Sequence, residues 1–144
     1  MRRTLEDYRF VQRYPVHWGE MDAARHVNNL VYLRWAESAR IAYLEQIGLG
    51  ADFSGQQVGP ILGWQDCKYI FPLTFPDTVI VGTRTSEMLD DRMILECGMF
   101  SERHQRIASI SQHHILPYDY NLLKKVLLPG AWTEAVERFQ KSEQ

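Results

Sequence analysis

One long helical pattern constrains the fold of this chain more than any other feature of its sequence. It covers residues 30–47, with Asn28 or Asn29 placed to cap its first turn and Gly48 directly after its end. Its apolar stripe consists of Tyr32, Ala36, Ala39, Tyr43 and Ile47, flanked by Leu33, Trp35 and Leu44. Two alanines in mid-stripe allow a sheet to approach the helix axis closely. We therefore expect this helix to form the core of the domain.

Strand-like segments lie on both sides of this helix in the sequence. The first, residues 8–18, contains Pro15, which restricts it to an edge or an irregular end of a sheet. After a loop at residues 48–60, four more segments cover residues 61–71, 78–89, 92–102 and 105–116, and a short amphipathic helix covers residues 131–141. This order predicts an α+β domain in which an antiparallel sheet of about five strands packs around one long central helix.

Size and charge argue against several classes of function. A length of 144 residues fits one domain, so residues 1–144 are expected to fold as a single unit. A formal net charge of −2 gives no global positive field for nucleic acid or an anionic membrane. No apolar stretch follows the two arginines near the start, and no segment is apolar enough to cross a bilayer. We expect a cytoplasmic protein without nucleic-acid or membrane partners.

The sequence lacks the motifs of several common enzyme classes. Nucleotide loops of the GxGxxG and GxxxxGKS/T types, the HExxH zinc motif and the GxSxG serine elbow are all absent. Cys67 and Cys97 stand apart and are expected to be small buried hydrophobic residues. His113 and His114 are neighbours on a strand, so their side chains should point to opposite faces. No metal site is therefore predicted.

An irregular, partly charged segment leads directly into the start of the long helix. It reads WGEMDAARHVNN over residues 18–29. The first turn of a helix has free N–H groups and a partial positive charge, which polarise a carbonyl and stabilise an oxyanion. The carboxylate of Asp22, a few residues upstream, is placed to face the same carbonyl. On spacing alone, however, helix capping or a solvated position is the commoner role for such a carboxylate.

These residues resemble the 4-hydroxybenzoyl-CoA thioesterase-like hotdog enzymes, in which a D-x-D-x-x-G-H-V-N-N-x-x-Y segment precedes the central helix. Here residues 20–32 read EMDAARHVNNLVY. Asp22 matches the family's catalytic aspartate, the HVNN string at residues 26–29 is identical, and Tyr32 matches the tyrosine. The run CKYIFPLTFPD at residues 67–77 is similar to the family's segment before a structural aspartate, here Asp77.

The resemblance implies a hotdog fold and the hydrolysis of an acyl-CoA thioester. In this reading, amides at the helix start, near Asn29, polarise the thioester carbonyl, and Asp22 acts as nucleophile or as general base for water. His26 and Asn28 would hold the loop and the substrate. No cofactor is implied, because CoA is part of the substrate. The family also implies a homodimer or a dimer of dimers, with active sites at the subunit interface.

Three positions depart from the family patterns. Arg25 takes the place of the glycine, where it changes the backbone of the loop or brings a cation to the CoA phosphates. Glu20 replaces the first aspartate, which is a milder change. Ala24 stands where plant acyl-ACP thioesterases have asparagine, which favours CoA over an acyl carrier protein.

Basic and aromatic residues elsewhere are candidates for substrate contacts. The candidate phosphate ligands are Arg25, Lys68, Arg84, Arg103 and Arg106. A solvated hairpin tip is the simpler account of the ERHQR run at residues 102–106. The candidate acyl-pocket residues are Trp18, Trp35, Trp64 and Phe71, for which burial in the core is the commoner role.

Two other functions stay open at this point. A hotdog protein that binds acyl-CoA without hydrolysing it is compatible with the change at Arg25. Hydration or dehydration of an enoyl thioester ranks lowest, because that chemistry usually needs an Asp and His pair in a different local pattern.

Overall fold

The structure is a computed structural model that describes residues 2–49 and 57–141. Its elements are β1 (Phe10–Pro15), α1 (Asn29–Gln46), β2 (Val58–Tyr69), β3 (Thr78–Met88), β4 (Met93–Ser101), β5 (Arg106–Asp119), β6 (Lys124–Lys125) and α2 (Gly130–Lys141). The predicted order of strand, long helix, four strands and short helix is confirmed, and the short strand β6 is an addition that the pattern does not predict. Residues 50–56 of the predicted loop lie outside the described residues.

The strands form one antiparallel sheet in the order β1-β3-β4-β5-β2, and β6 pairs with β5. β1 therefore lies at one edge, where Pro15 can be accommodated, and β2 lies at the other edge. β2 pairs with β5 from Val58, opposite Asp119, to Tyr69, opposite Ser109. Within the described chain, the other side of β2 has no neighbouring strand. This free edge becomes important for the site.

The buried face of α1 is the face that its periodicity predicts. Ala36 and Ala39 are fully buried, and they belong to one core cluster with Val81 and Met99 of the inner sheet face. The small alanine side chains allow the helix axis to lie close to β3 and β4. The same face also buries Arg40, a cation that the apolar stripe does not include. The long helix is thus the centre of the core, as predicted.

The second half of the core lies under the C-terminal helix. Trp132 and Val136 of α2 pack with Tyr43, Leu95 and Ile115 in a second buried cluster. In this cluster the hydroxyl of Tyr43 forms a 2.7 Å hydrogen bond with Thr85, so its buried polar atom is satisfied. The predicted amphipathic role of the C-terminal helix is confirmed.

The outer face of the sheet is covered by the N-terminal segment, which the pattern does not predict. Tyr8 is buried and lies over Gly82 and Gly98, where an added Cβ would come within 2.4 Å of its side chain. Glycine at these two positions therefore makes room for the tyrosine. The hydroxyl of Tyr8 donates to Glu96 at 2.6 Å. This cover explains why both faces of β4 are buried.

His113 and His114 point to opposite faces of β5, as predicted. His113 is fully buried, whereas His114 stacks against Trp64 with ring centres 4.6 Å apart. Over residues 2–49 and 57–141, no group of three or more His, Cys, Asp or Glu side chains is placed to bind a metal ion. No helix in the described part of the chain is both long and apolar enough to span a membrane.

The expectation of burial in the core is wrong for two tryptophans. Trp18 is 71% exposed and Trp64 is 50% exposed, whereas Trp35 is buried. Trp18 lies in the irregular segment before α1, and Trp64 lies on the free edge strand β2, so neither has a covering element. The two cysteines are both free, with Cys97 fully buried and Cys67 half-buried.

Candidate active site

The segment before α1 forms a tight antiparallel loop. Met21 and Val27 pair as an isolated β-bridge, and the Asp22 N–H donates to the His26 carbonyl at 3.0 Å. The Arg25 N–H donates to the Asp22 carbonyl at 2.9 Å, and Arg25 has a left-handed φ of 66°. Glycine adopts that conformation without strain, whereas arginine pays about 1 kcal/mol. Arg25 therefore occupies the glycine position with a backbone conformation that glycine favours.

Two further hydrogen bonds close this loop and attach it to the rest of the domain. The Val27 N–H donates to the Leu73 carbonyl at 2.8 Å, and the Asn28 N–H donates to the Glu20 carbonyl at 2.9 Å. On the other side of Leu73, its N–H donates to the hydroxyl of Tyr32 at 3.1 Å. The loop, the first turns of α1 and the segment before β3 therefore form one connected unit.

The first turn of α1 leaves one amide free. The side chain of Asn28 accepts from the Leu30 N–H at 2.9 Å, which makes Asn28 the N-cap, and its carbonyl accepts from Val31. Among the hydrogen bonds of the described residues, none uses the Asn29 N–H. The partial positive charge of the helix start reinforces that donor. The free amide is therefore at the position near which the sequence analysis placed it.

Asp22 is exposed and lies at the start of the loop. Its carboxylate accepts from the Ala24 N–H at 2.9 Å, and no ion pair of the described residues involves it. A carboxylate has four lone-pair positions, so this single bond leaves most of its acceptor capacity available. Asp22 is therefore an oriented carboxylate with a free side.

Two open cavities flank the loop. The first has a volume of about 240 Å³, and its lining includes His26, Val27, Asn29, Tyr32, Tyr69 and Phe71. The second has a volume of about 540 Å³, and its lining includes Trp18, Met21, Asp22, Arg25 and Phe75. Within one chain, His26 and Asn29 thus share a cavity, and Asp22 lines the neighbouring one. The His26 side chain is exposed and forms no hydrogen bond with another described residue.

Tyr69 is a site residue that the sequence analysis missed. Its hydroxyl donates to the Asn29 carbonyl at 3.1 Å, and its ring lies 5.0 Å from that of Tyr32. Burial, together with a hydrogen bond to Cys67, raises the pKa of Tyr69 to about 12. Burial also raises the pKa of Tyr32. Both phenols are therefore neutral donors at physiological pH and line the cavity without acting as bases.

Two of the candidate phosphate ligands lie at a larger cavity on the outer sheet face. Lys68 and Arg106 line this cavity, whose volume is about 850 Å³, together with Arg2 and Ile70. The guanidinium of Arg106 lies 4.3 Å from the ring centre of Phe71, which also lines the Asn29 cavity. Ile70 lines both cavities as well. The two basic side chains are therefore neighbours of the site across the end of β2.

Arg84 lies instead in a buried ionic cluster. Glu96 is hydrogen-bonded to Tyr8, paired with Arg3 at 2.9 Å and paired with Arg84 at 3.4 Å. Burial alone would raise the pKa of Glu96, but the hydrogen bonds from Tyr8 and Arg3 and the charge of Arg84 bring it below its ordinary value. Arg84 is thus already engaged by a buried carboxylate, which it shares with Arg3.

Arg103 lies at the turn between β4 and β5, beside the predicted structural aspartate. Its N–H donates to the Asp77 carboxylate at 2.9 Å, and its guanidinium donates to the Pro76 carbonyl at 3.3 Å. Asp77 also accepts from Ser101 at 2.5 Å. Asp77 is therefore structural, and the Arg103 side chain is held against the backbone of the segment before β3.

Comparison with known proteins agrees with this architecture. A family model described as the thioesterase-like superfamily matches residues 16–138. The DHNA-CoA thioesterase from Staphylococcus aureus is 20% identical, with a TM-score of 0.80 over 92% of this chain and 91% of that chain. The PA5185 protein from Pseudomonas aeruginosa is 24% identical, with a TM-score of 0.83 over the whole of both chains.

A third similar structure contains a ligand. The SAV2348 protein from Staphylococcus aureus, in complex with CoA, is 14% identical, with a TM-score of 0.83 over 92% of this chain and 84% of that chain. No curated protein sequence matches this chain at a significant level. The family match covers most of the chain, and the structural matches share its curled antiparallel sheet and long helix. The chain therefore has the hotdog fold and belongs to the thioesterase-like superfamily.

Proposed function

We propose that this protein hydrolyses an acyl-CoA thioester to the free acid and CoA. The observation that carries the proposal is the free amide of Asn29 at the start of α1. Asn29 lines one of the two cavities that flank the loop, and Asp22 lines the other. An oriented amide and a carboxylate with spare acceptor capacity are the two groups that acyl transfer requires. Membership of the thioesterase-like superfamily supports the same chemistry.

In the proposed mechanism, the thioester carbonyl oxygen accepts a hydrogen bond from the Asn29 N–H. The helix start stabilises the negative charge that develops on this oxygen, and such a donor typically contributes about 10²–10³-fold in rate. Asp22 either attacks the carbonyl carbon, giving an anhydride that water opens, or removes a proton from the attacking water. In both routes the C–S bond breaks, and CoA leaves as a thiolate that takes up a proton.

The remaining loop residues have supporting roles. Asn28 caps the helix and so fixes the direction of the Asn29 amide. His26 is exposed and lines the same cavity as Asn29, so its imidazole is available to the substrate. The proposed mechanism uses no separate cofactor, since CoA is part of the substrate.

The CoA portion is proposed to bind through basic side chains near the end of β2. Lys68 and Arg106 are exposed and form no ion pair with another described residue, so they are free to contact phosphates. Arg25 lines the Asp22 cavity and is the third candidate. Arg84 and Arg103 are weaker candidates, because Glu96 and the Pro76 carbonyl already engage them. CoA is bound in the similar SAV2348 structure, which supports this ligand class.

A homodimer, or a dimer of dimers, is proposed as the active assembly. The twelve-residue strand β2 has a free edge in the described chain, and a long free edge readily pairs with another strand. A second copy at that edge would lie beside Tyr69, and hence beside the Asn29 cavity. The site would then be shared between two subunits.

The alternative function is acyl-CoA binding without hydrolysis. One observation favours it: in a single chain, Asp22 and Asn29 line different cavities, and the Asp22 carboxylate already bonds the Ala24 amide. A protein of this kind would retain the CoA contacts but release no thiol.

A thiol-release assay with acetyl-, octanoyl-, palmitoyl- and benzoyl-CoA tests the proposal. The wild type should cleave at least one substrate, and Asp22→Asn should lower kcat by about 10²–10⁴-fold because it removes the nucleophile or base. Calorimetry should show that this variant still binds CoA. The matched control is Asp90→Asn, which removes a carboxylate from the exposed β3–β4 turn and should retain full activity.

Two results would contradict the proposal. Equal turnover by the wild type and D22N would exclude Asp22 from the chemistry. Binding of CoA by a wild type that releases no thiol from any of the four substrates would favour the binding protein instead.

A further inference from the structure

Exposed apolar side chains gather at the two ends of the free edge strand β2. At its Tyr69 end, Leu30 is 63% exposed and follows Asn29, whose carbonyl bonds Tyr69. At its Val58 end, the turn between β5 and β6 carries Leu122 and Leu123, which are 61% and 70% exposed. Large side chains of this kind, gathered into patches, mark interaction surfaces. Each end of the strand therefore presents an apolar surface to solvent.

The turn with the two leucines, which we name the leucine hairpin (residues 119–125), is held firmly. The buried carboxylate of Asp119 accepts from the Asn121 N–H at 2.9 Å, from the Leu122 N–H at 2.8 Å and from Gln57 at 2.7 Å. Leu123 has a left-handed φ of 57°, which is strained for a residue other than glycine. The hairpin thus presents two leucines outward from a turn whose backbone Asp119 holds in place.

The Asn29 cavity is small, and the end of the free edge strand forms one side of it. Its volume of about 240 Å³ is below the roughly 300–1,000 Å³ of typical ligand pockets. Tyr69 and Ile70, at the end of β2, line this side, and both are exposed. An acyl-CoA bound here would leave its acyl group in contact with water.

Symmetry connects the two ends of the strand. A twofold axis perpendicular to β2 pairs the strand antiparallel with its own copy and places the Val58 end of one chain near the Tyr69 end of the other. The leucine hairpin is fixed to the Val58 end, because Val58 pairs with Asp119. Each apolar surface would then face the apolar surface of the other copy, once on each side of the axis.

We propose that the leucine hairpin of a second copy covers the Asn29 cavity and forms a wall of its acyl pocket. The inference rests on the proposed hydrolysis and specifies its substrate class. Leu122 and Leu123 carry neither charge nor hydrogen-bonding groups in their side chains, so the pocket they complete takes an apolar acyl group. Selectivity for acyl length is then set by residues of the other subunit.

The first experiment changes the hairpin and measures selectivity. The double variant Leu122→Ser/Leu123→Ser should lower kcat/KM for octanoyl-CoA about tenfold or more, with a smaller effect on acetyl-CoA, because only the longer chain reaches the wall. Leu123→Phe should fill the pocket and shift the preference towards shorter acyl groups. The matched control is Val11→Ser, an exposed apolar residue on β1, at the opposite edge of the sheet, and it should leave the selectivity unchanged.

The second experiment tests whether the hairpin acts on the other subunit. D22N and L122S/L123S should each turn over octanoyl-CoA poorly. In this experiment the two variants are unfolded together and refolded as a mixture. A mixed dimer has one site with both Asp22 and an intact hairpin, so random pairing should recover about one quarter of the wild-type activity. A hairpin that acts within its own chain gives no recovery.

Several results would overturn the inference while leaving the proposed hydrolysis intact. They are unchanged octanoyl-CoA turnover in L122S/L123S, a wild type that cleaves acetyl-CoA alone, or a mixture without recovery. The inference is also overturned if sedimentation shows that L122S/L123S loses activity only because its subunits dissociate, and if L123F keeps the wild-type selectivity. Absence of thiol release by the wild type from every substrate is a different outcome, because it removes the proposed function itself.

Discussion

Glu96 and Asp22 are two carboxylates of one chain in opposite surroundings. Glu96 is buried in the middle of the sheet, where Tyr8, Arg3 and Arg84 all engage it. Asp22 is exposed, accepts one backbone hydrogen bond and forms no ion pair within the described chain. The buried carboxylate is therefore the one whose bonding capacity is already used. The exposed carboxylate, with free capacity, lies in the loop that precedes the helix start.

The lowered pKa of Glu96 shows that a shifted pKa does not by itself mark a site of chemistry. Perturbed groups gather at functional sites in many enzymes, but buried structural networks perturb pKa values as well. In this protein, the groups around Glu96 fasten the N-terminal segment to the outer sheet face. Asp22 is a candidate because it is exposed, has free acceptor capacity and lies in the loop that leads to the Asn29 amide.

The largest stability effect should come from Glu96→Ala. Removing this partner leaves the guanidinium of Arg3 and the hydroxyl of Tyr8 without their acceptor, which should lower the free energy of unfolding by about 3 kcal/mol. Urea unfolding measures the change, and kcat per folded molecule should stay near the wild-type value. Asp22→Asn should do the reverse, with little change in stability and a large loss of kcat. A Glu96→Ala protein of unchanged stability, or one that is folded but inactive, would contradict the comparison.

A smaller effect should appear in the pH dependence of stability, through His113. Burial, with the nearby charges of Arg40 and His114, lowers the pKa of His113 to about 3. Because an unfolded histidine has a pKa near 6.5, the unfolded state binds the proton first as the pH falls. The free energy of unfolding should therefore decrease below about pH 6.5, by up to about 1.4 kcal/mol per pH unit.

Urea unfolding between pH 5 and 7 measures this slope, and His113→Gln should flatten it. The same slope in the wild type and in this variant would show that His113 does not remain neutral in the fold. The window lies above the titration of Glu96, whose pKa is lowered from 4.5, so the two buried groups are measured separately.

The smallest effect should come from Arg25→Gly. Glycine relieves the left-handed strain at φ 66° but adds freedom to the unfolded chain, so stability should rise by a few tenths of a kcal/mol. Gln105→Gly is the matched control, because Gln105 also has a left-handed φ, of 52°, but lies in the β4–β5 turn. If R25G and Q105G have similar stability and only R25G binds CoA more weakly, the charge of Arg25 contributes to CoA binding. A free energy of unfolding that is much lower in R25G than in Q105G would contradict the expectation that glycine relieves backbone strain at position 25.

Local patterns predict the elements of this fold well. The apolar stripe of α1 and the alternation of the strands reflect burial against a single core, which is encoded at short range. The motif resemblance located the loop before α1 and the helix start near Asn29, and both occur where they were expected. Asn28 as the cap follows from the same short-range chemistry.

Such sequence patterns do not predict contacts between segments that are distant in the sequence. Tyr69 reaches Asn29 from the end of β2, and Tyr8 covers Gly82 and Gly98 from the N-terminal segment. Pairings of this kind depend on the strand order and not on the residues near either partner. The exposure of Trp18 and Trp64 has the same origin, because only the sheet topology shows which elements lack a covering neighbour.

The most direct measurement is a crystal structure of D22N with an intact acyl-CoA substrate bound. The account predicts the thioester carbonyl oxygen about 3 Å from the Asn29 nitrogen. The side chain of residue 22 should lie within about 3.5 Å of the carbonyl carbon, or should hydrogen-bond one water that lies between them. A thioester bound away from the first turn of α1, or one whose carbonyl carbon is out of reach of residue 22 in every subunit, would contradict it.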